Sequence, residues 1–140
     1  MRFCRELSQK TGMKIIVVGG NPVTAWKNRD QMIEYAVDIS PQQWLYFMHH
    51  AAYVVTNSFH GTAFSVNFRK NFYVEFSSLT NSRLEHIVRM LHLEDRVVNG
   101  SSVAAPSAVD YGTVDAILPS LEARSLQYLE CALAEGGHHG

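Results

Sequence analysis

Short apolar runs alternate with segments of helical periodicity along most of this chain. Residues 1–10 place Phe3 and Leu7 on one helical face, and Thr11-Gly12 follows as a stop, which predicts a helix. A run rich in β-branched residues at 13–18 then predicts a buried strand. The alternation continues with strands predicted at 33–39, 52–56 and 72–76 and helices predicted at 41–51 and 59–69.

Local signals mark several of these boundaries. Ser40-Pro41 with Gln43 predicts a capped helix start, because serine caps, proline suits the first turn and glutamine completes a capping box. Towards the C-terminus we expect a helix at 83–91, an edge strand at 96–98 and a long helix at 113–134, bent at Pro119. We expect Arg96 and Arg124 to form surface or interface ion pairs.

The fold class follows from this alternation of strands and helices. It predicts a parallel sheet with helices on both faces, a Rossmann-like α/β architecture. At 140 residues the chain fits a single domain, which we place at 1–135, with a flexible tail at 136–140.

Composition narrows the functional classes. Apolar residues make up 46% of the chain, and 12 basic residues nearly balance 13 acidic ones, for a net charge of -1. A nucleic-acid partner is therefore not expected, since such proteins usually carry a clustered basic excess. We see no signal peptide and no integral membrane segment. Cys4 and Cys131 are interpreted as reduced thiols, and we expect a cytoplasmic location.

The most informative segment runs from Tyr53 to Ser65. An apolar strand ends there in small and polar residues, and a helical pattern restarts, so this turn is expected at the carboxyl edge of the sheet. We predict that Ser58, Gly61 and Thr62 bind an anion at the helix N-terminus and that His60 is catalytic. The alternative is structural, with Ser58 as the N-cap and His60 as a packed turn residue.

Two further loops are expected at the same edge. Gly20 lies in a glycine pair after the first strand, where either a ligand loop or an ordinary turn is consistent with the sequence. Asn81 and Arg83 lie at the start of the helix predicted at 83–91, and we predict that both bind substrate, as does Gly20. Arg83 has the planar guanidinium suited to a carboxylate or phosphate. The alternative for Arg83 is an ion pair with Glu85 or Asp95.

The spacing of the candidate residues argues against a metal site and against a hydrolase triad. Seven histidines include the pairs at 49–50 and 138–139, but no third ligand stands at a convincing spacing, so no metal site is predicted. The sequence has no G-x-S-x-G elbow and no assignable acidic partner for a hydrolase triad. We expect no cofactor.

Taken together, several segments resemble the polysaccharide pyruvyl transferase family. The most specific is Ser58-Phe59-His60-Gly61-Thr62-Ala63-Phe64-Ser65, and the others are Ser40-Pro41, the strands at 51–56 and 72–74, Ser82-Arg83, 91–96, 109–111 and Arg124-Ser125 with Leu129. The resemblance runs in order over nearly the whole chain but covers only the C-terminal, donor-side half of the family.

This resemblance implies a fold and an activity. Family members are similar to two-domain glycosyltransferases of the GT-B architecture, in which two Rossmann-like domains face a cleft. It implies pyruvyl transfer from phosphoenolpyruvate to a saccharide acceptor of a bacterial surface polysaccharide or exopolysaccharide. His60 would be an acid/base or phosphate-contacting residue, and Arg83 would clamp the carboxylate or phosphate. An N-terminal domain would supply acceptor-side groups, so we expect the isolated chain to be nearly inactive.

Two other functions are also consistent with the sequence. A sugar-nucleotide glycosyltransferase donor domain would use the same turn to bind a diphosphate. A non-catalytic binding or interaction domain would keep the fold without the chemistry. Exposed apolar residues on the last helix are consistent with contact to a missing domain or with a homodimer.

Overall fold

Parallel strands and helices alternate through the structure. The computed structural model describes residues 1–19, 31–76, 82–98 and 106–136. In chain order these residues form α1 (Arg2–Thr11), β1 (Ile15–Val18), β2 (Ile33–Ala36), α2 (Pro41–His50), β3 (Tyr53–Thr56), α3 (Phe59–Asn67), β4 (Asn71–Val74), α4 (Ser82–Met90), a 3₁₀ helix (Glu94–Arg96) and α5 (Tyr111–Gly136). The predicted order of helices and strands is confirmed, except for the edge strand expected at 96–98.

The strands pair in parallel, as predicted, but in two small sheets. β1 pairs with β2, with Ile15 opposite Ile33, and β3 pairs with β4, with Tyr53 opposite Asn71. Within the described residues the two pairs are not joined into one continuous sheet. The structure is therefore a mixed α/β fold with small parallel sheets.

The edge strand expected at 96–98 is replaced by a shorter contact. The chain forms a 3₁₀ helix through Arg96 and then a single parallel bridge between Val97 and Val74. The Val98 amide donates to the Val74 carbonyl at 2.8 Å. The expectation of a full strand here was wrong, because Arg96 belongs to the 3₁₀ helix and Val97 alone, among the described residues, forms a bridge with β4.

The β3–β4 sheet is packed on both faces. Side chains alternate along a strand, so neighbouring residues face opposite sides. Val54, Phe72 and Val74 join the main core, which α2 to α5 complete, and the last two are fully buried. On the other face Tyr73 packs in a second cluster with Phe3 and Leu7 of α1.

Capping fixes the start of α2 as predicted. The Gln43 amide donates to Ser40 Oγ at 3.2 Å, and the Ser40 amide donates to Gln43 Oε1 at 2.8 Å. These two bonds form a capping box, with Pro41 at the first helical position. The predicted helix start is confirmed at the level of individual hydrogen bonds.

The end of α3 anchors the start of α5. The Tyr111 hydroxyl lies between the Lys70 carbonyl at 2.7 Å and the Ser65 carbonyl at 3.1 Å. Arg69 adopts a left-handed φ of 52°, and its guanidinium makes two hydrogen bonds, of 2.9 and 2.6 Å, to Asp115. Burial raises the pKa of Tyr111 to about 12.

Arg96 is buried rather than on the surface. It is 5% exposed, pairs with Asp95 and donates to the Ser107 carbonyl at 3.1 Å. Its guanidinium also lies 5.5 Å from the centre of the Tyr73 ring. The expectation of a surface or interface pair was wrong for this residue, because the segment around Ser107 folds over it and supplies carbonyl and hydroxyl acceptors.

The outer half of α5 leaves apolar side chains in solvent. Leu126, Leu129 and Leu133 are all exposed, whereas Val114 on the first turn is buried. Among the described residues, no helix combines the length and apolarity needed to cross a membrane. The homodimer and the contact with a further domain stay predictions.

We predict that Tyr111→Phe lowers the free energy of unfolding by about 1 kcal/mol near neutral pH, because the Ser65 and Lys70 carbonyls lose the hydroxyl that donates to them. The folded-state pKa is raised, so the stabilisation is complete below pH 10 and is lost as pH rises from 10 to about 12. Urea unfolding followed by circular dichroism at pH 8 and at pH 11.5 measures both effects.

Tyr128→Phe is the matched control, because Tyr128 lies on the same helix and is 73% exposed. The alkaline loss of stability should be smaller in Tyr111→Phe than in the wild type or the control. Equal losses in all three proteins would contradict the assignment of this titration to Tyr111.

Candidate functional site

A two-residue turn joins β3 to α3 at the carboxyl edge of the sheet. Ser58 is the N-cap of α3, and its Oγ accepts a hydrogen bond from the Gly61 amide at 3.4 Å. The Ser58 amide in turn donates to Thr56 Oγ1 at 3.1 Å. The predicted capping role of Ser58 is therefore present, and its exposed hydroxyl retains a proton to donate.

Gly61 allows the first turn of α3 to lie against the end of β3. A Cβ at this position would be 2.2 Å from Thr56 Oγ1 and 2.9 Å from Thr56 Cβ. Gly61 has no positive φ, so the requirement is for space and not for an unusual backbone conformation. Any side chain at position 61 would push the helix away from the strand.

The amides of Gly61 and Thr62 are occupied within the protein. Gly61 donates to Ser58 Oγ, and Thr62 donates to the Ser58 carbonyl at 3.0 Å. Thr62 is fully buried, and its hydroxyl also bonds the Ser58 carbonyl, at 3.1 Å. We therefore revise the expectation that these two residues hold an anion directly, because capping and burial already use their donors.

The amides of Phe59 and His60 take their place as candidate donors. They are the first two amides of α3, which have no carbonyl four residues earlier within the helix. Neither amide has a hydrogen-bond acceptor among the residues that the structure describes. Together with the Ser58 hydroxyl they give the turn three donors at the positive end of a helix dipole.

The His60 side chain is exposed at this turn. Its ring meets the Phe59 ring edge-on, with centroids 5.7 Å apart and an interplanar angle of 84°. The alternative of a packed turn histidine does not describe this position. An exposed imidazole beside unpaired amides can accept or donate a proton or contact an anion.

Arg83 is brought to the same turn from another part of the chain. It is the second residue of α4, and its guanidinium carbon lies 6.0 Å from the centre of the Phe59 ring. α3 and α4 pack together, which sets this contact. A cation in the first turn of a helix opposes the helix dipole, so Arg83 adds to the positive end of α4 and places its charge over the first residue of α3.

The acidic residues predicted to neutralise Arg83 are engaged elsewhere. Glu85 lies 3.8 Å from Arg89 on the same helix, and Asp95 pairs with the buried Arg96. Across the described ranges Arg83 has no carboxylate partner, and its side chain is exposed. The ion-pair alternative for Arg83 was therefore wrong, and the guanidinium is open to an anion.

Gly20 and Asn81 lie outside the described residues, so their predicted roles stay predictions. The neighbouring Gly19 has a φ of 80°, and its amide donates to the Ala36 carbonyl at 3.0 Å, which continues the pairing of β1 with β2. Within the described ranges no three His, Cys, Asp or Glu side chains are grouped closely enough to bind a metal ion.

Comparison with protein-family models gives a match over the first half of the chain. A family model described as polysaccharide pyruvyl transferase matches residues 1–74, which is just over half of the chain. The chain belongs to the polysaccharide pyruvyl transferase family. Neither a curated protein nor a solved structure shows significant similarity to it.

The family match includes the turn but ends before Arg83. Residues 1–74 cover every element from α1 to β4, and therefore Ser58 and His60. In this pyruvyl transferase family member, Arg83 lies outside the matched range but contacts Phe59, which lies within it. The region that completes the positive cluster thus lies beyond the matched part of the chain.

Sequence reasoning missed two residues of this site. Thr56 accepts the Ser58 amide and packs against Gly61, and Phe59 lies beneath Arg83. A hydroxyl residue two positions before an N-cap was a local signal for Thr56. No local signal pointed to Phe59, because its partner is 24 positions away and meets it only through packing of α3 against α4.

We predict that Gly61→Ala destabilises the protein by about 3 kcal/mol, the upper end of the overpacking range. The added methyl overlaps Thr56, so either α3 or the end of β3 must move. Urea unfolding of the purified variant measures this loss.

Gly112→Ala serves as the control, because its Cβ would meet only the exposed Asp110 carboxylate at 3.1 Å. Gly61→Ala should also cost less in a Thr56→Ala background, which removes the closest atom. A Gly61→Ala variant as stable as Gly112→Ala would show that the turn is not sterically constrained.

Proposed function

We propose that this chain is the donor-binding domain of a pyruvyl transferase, and that it binds phosphoenolpyruvate at the turn between β3 and α3. The observation that carries this proposal is that the Arg83 guanidinium, which has no carboxylate partner among the described residues, and the exposed His60 ring both contact Phe59, the first residue of α3. Phosphoenolpyruvate carries a carboxylate and a phosphate, and a cluster of positive charge and free donors suits both groups.

The proposed reaction gives these groups separate tasks. Protonation of the methylene carbon of phosphoenolpyruvate produces an oxocarbenium-like centre, which one sugar hydroxyl attacks. Phosphate then leaves with its bridging oxygen, and a second hydroxyl of the same sugar closes the ketal. Of the two hydroxyl protons released, one balances the proton gained by the methyl group and the other leaves with phosphate.

His60 is the proposed acid/base or phosphate-contacting residue of this reaction, since its imidazole is exposed at the turn and an imidazole can accept or donate a proton. Arg83 is the proposed clamp for the carboxylate or phosphate. Ser58 contributes its hydroxyl, and the amides of Phe59 and His60 replace those of Gly61 and Thr62 as helix-end donors.

The acceptor saccharide would be bound by a second domain across a cleft, as in a GT-B transferase with Rossmann-like halves. The sheets that the structure describes are small, and this wider architecture is part of the proposal. The saccharide acceptor is supported by membership of the polysaccharide pyruvyl transferase family. The surface polysaccharide of a bacterium is the proposed destination of the ketal.

Arg83→Gln should weaken phosphoenolpyruvate binding to this chain by about tenfold or more, because a charge-assisted bidentate contact is lost. Isothermal titration calorimetry with phosphoenolpyruvate measures the affinity. Arg89→Gln is the matched control, since Arg89 is exposed on the same helix and lies near Glu85.

Pyruvate, inorganic phosphate and a panel of sugar nucleotides belong in the same titration. Preferential binding of a sugar nucleotide would instead support a glycosyltransferase donor domain. Equal affinities of Arg83→Gln and Arg89→Gln for phosphoenolpyruvate would contradict the proposed clamp.

His60→Gln should reduce pyruvyl transfer by the complete enzyme on the order of a hundredfold or more if the imidazole transfers a proton. The measurement is release of phosphate from phosphoenolpyruvate in the presence of a saccharide acceptor. His86→Gln on α4 is the control, because His86 is also exposed. Unchanged turnover in His60→Gln would rule out the catalytic role, and a loss confined to KM would assign His60 to anion binding.

A further inference from the structure

Phe59 contacts both charged or titratable side chains of the candidate site. It is the first residue of α3 and is partly buried. Arg83 lies over its ring at 6.0 Å, and the His60 ring meets it edge-on at 5.7 Å. One aromatic side chain therefore contacts both groups that the proposed reaction uses.

Arg83 has no other fixed partner in the part of the chain that the structure describes. Its natural ion-pair candidates are engaged, with Glu85 near Arg89 and Asp95 on Arg96. A free arginine side chain samples many rotamers, and ordering it on binding costs conformational entropy. Any contact that restricts Arg83 before the ligand arrives reduces that cost.

An aromatic face suits this task better than a carboxylate would. The attraction between a cation and a ring uses the charge of the guanidinium and the negative face of the ring. It consumes no N–H donor, so the donors of Arg83 remain available for a bidentate contact. A carboxylate would hold the side chain equally well but would neutralise it and compete with an anionic ligand.

We propose that Phe59 is a positioning residue, whose ring holds the Arg83 guanidinium beside the N-terminus of α3 before phosphoenolpyruvate binds. This inference rests on the proposed function for the identity of the ligand. The positioning itself rests on the contact between α3 and α4. Phe59 is not assigned any contact with the ligand through its side chain.

Phe59→Leu should weaken phosphoenolpyruvate binding by about two- to fivefold, the effect of one cation–π contact at an exposed site. Phe59→Tyr should bind like the wild type, because it keeps the ring face. Phe59→Met is a second non-aromatic variant if Phe59→Leu does not fold. Thermal unfolding establishes that each titrated variant is folded.

A double-mutant cycle separates positioning from general packing. In an Arg83→Gln background, Phe59→Leu should have no further effect on affinity. The inference is overturned if Phe59→Leu weakens binding equally with and without Arg83, or if Phe59→Tyr is as weak as Phe59→Leu.

A measurement without ligand keeps this inference distinct from the proposed function. The Arg83 side-chain Nε–H resonance in the free protein should shift in Phe59→Leu and stay near its wild-type position in Phe59→Tyr. If phosphoenolpyruvate does not bind the wild type, the proposed function fails, and the resonance still tests the contact. An Arg83 Nε–H chemical shift that is the same in Phe59→Leu as in the wild type would overturn the positioning role.

Discussion

The close approach of Gly61 to Thr56 is the constraint on which the site depends. Only two residues separate β3 from α3, and the first helical turn must pass over the end of the strand. Because Gly61 has no side chain, the turn can close. The Gly61 amide then donates to the Ser58 hydroxyl, and the Ser58 amide donates to the Thr56 hydroxyl. The direction of α3, and with it the placement of Phe59 and His60, follows from this contact.

The two ends of α3 serve different purposes. Its N-terminus is exposed and leaves amides unpaired, whereas carbonyls near its C-terminus accept the Tyr111 hydroxyl and the left-handed Arg69 binds Asp115. These contacts fasten α5 to the body of the protein. The first amides of a helix have no acceptor within it, so at an exposed N-terminus they bond to water or a ligand, while packing near the other end holds the helix in place.

Local sequence patterns predicted the elements well, since caps and periodicity act over a few residues. The capping box at Ser40 and the N-cap at Ser58 could both be predicted from the sequence, because each needs only three or four consecutive positions. Contacts between residues far apart in the chain could not be predicted in this way. Arg96 is buried because a segment near Ser107 covers it, and the bridge at Val97 replaces a strand, and both depend on where distant parts of the chain meet.

The same distinction applies to the candidate site and shows what its charge depends on. The sequence indicated His60 and Arg83 separately but gave no sign that both would contact Phe59. It also assigned anion binding to the amides of Gly61 and Thr62, which the cap consumes. With a net charge of -1, the protein as a whole does not attract an anion, so the attraction must come from this cluster. The pairing of Glu85 and Asp95 with other arginines keeps the cluster positive, and packing of α3 against α4 brings its parts together.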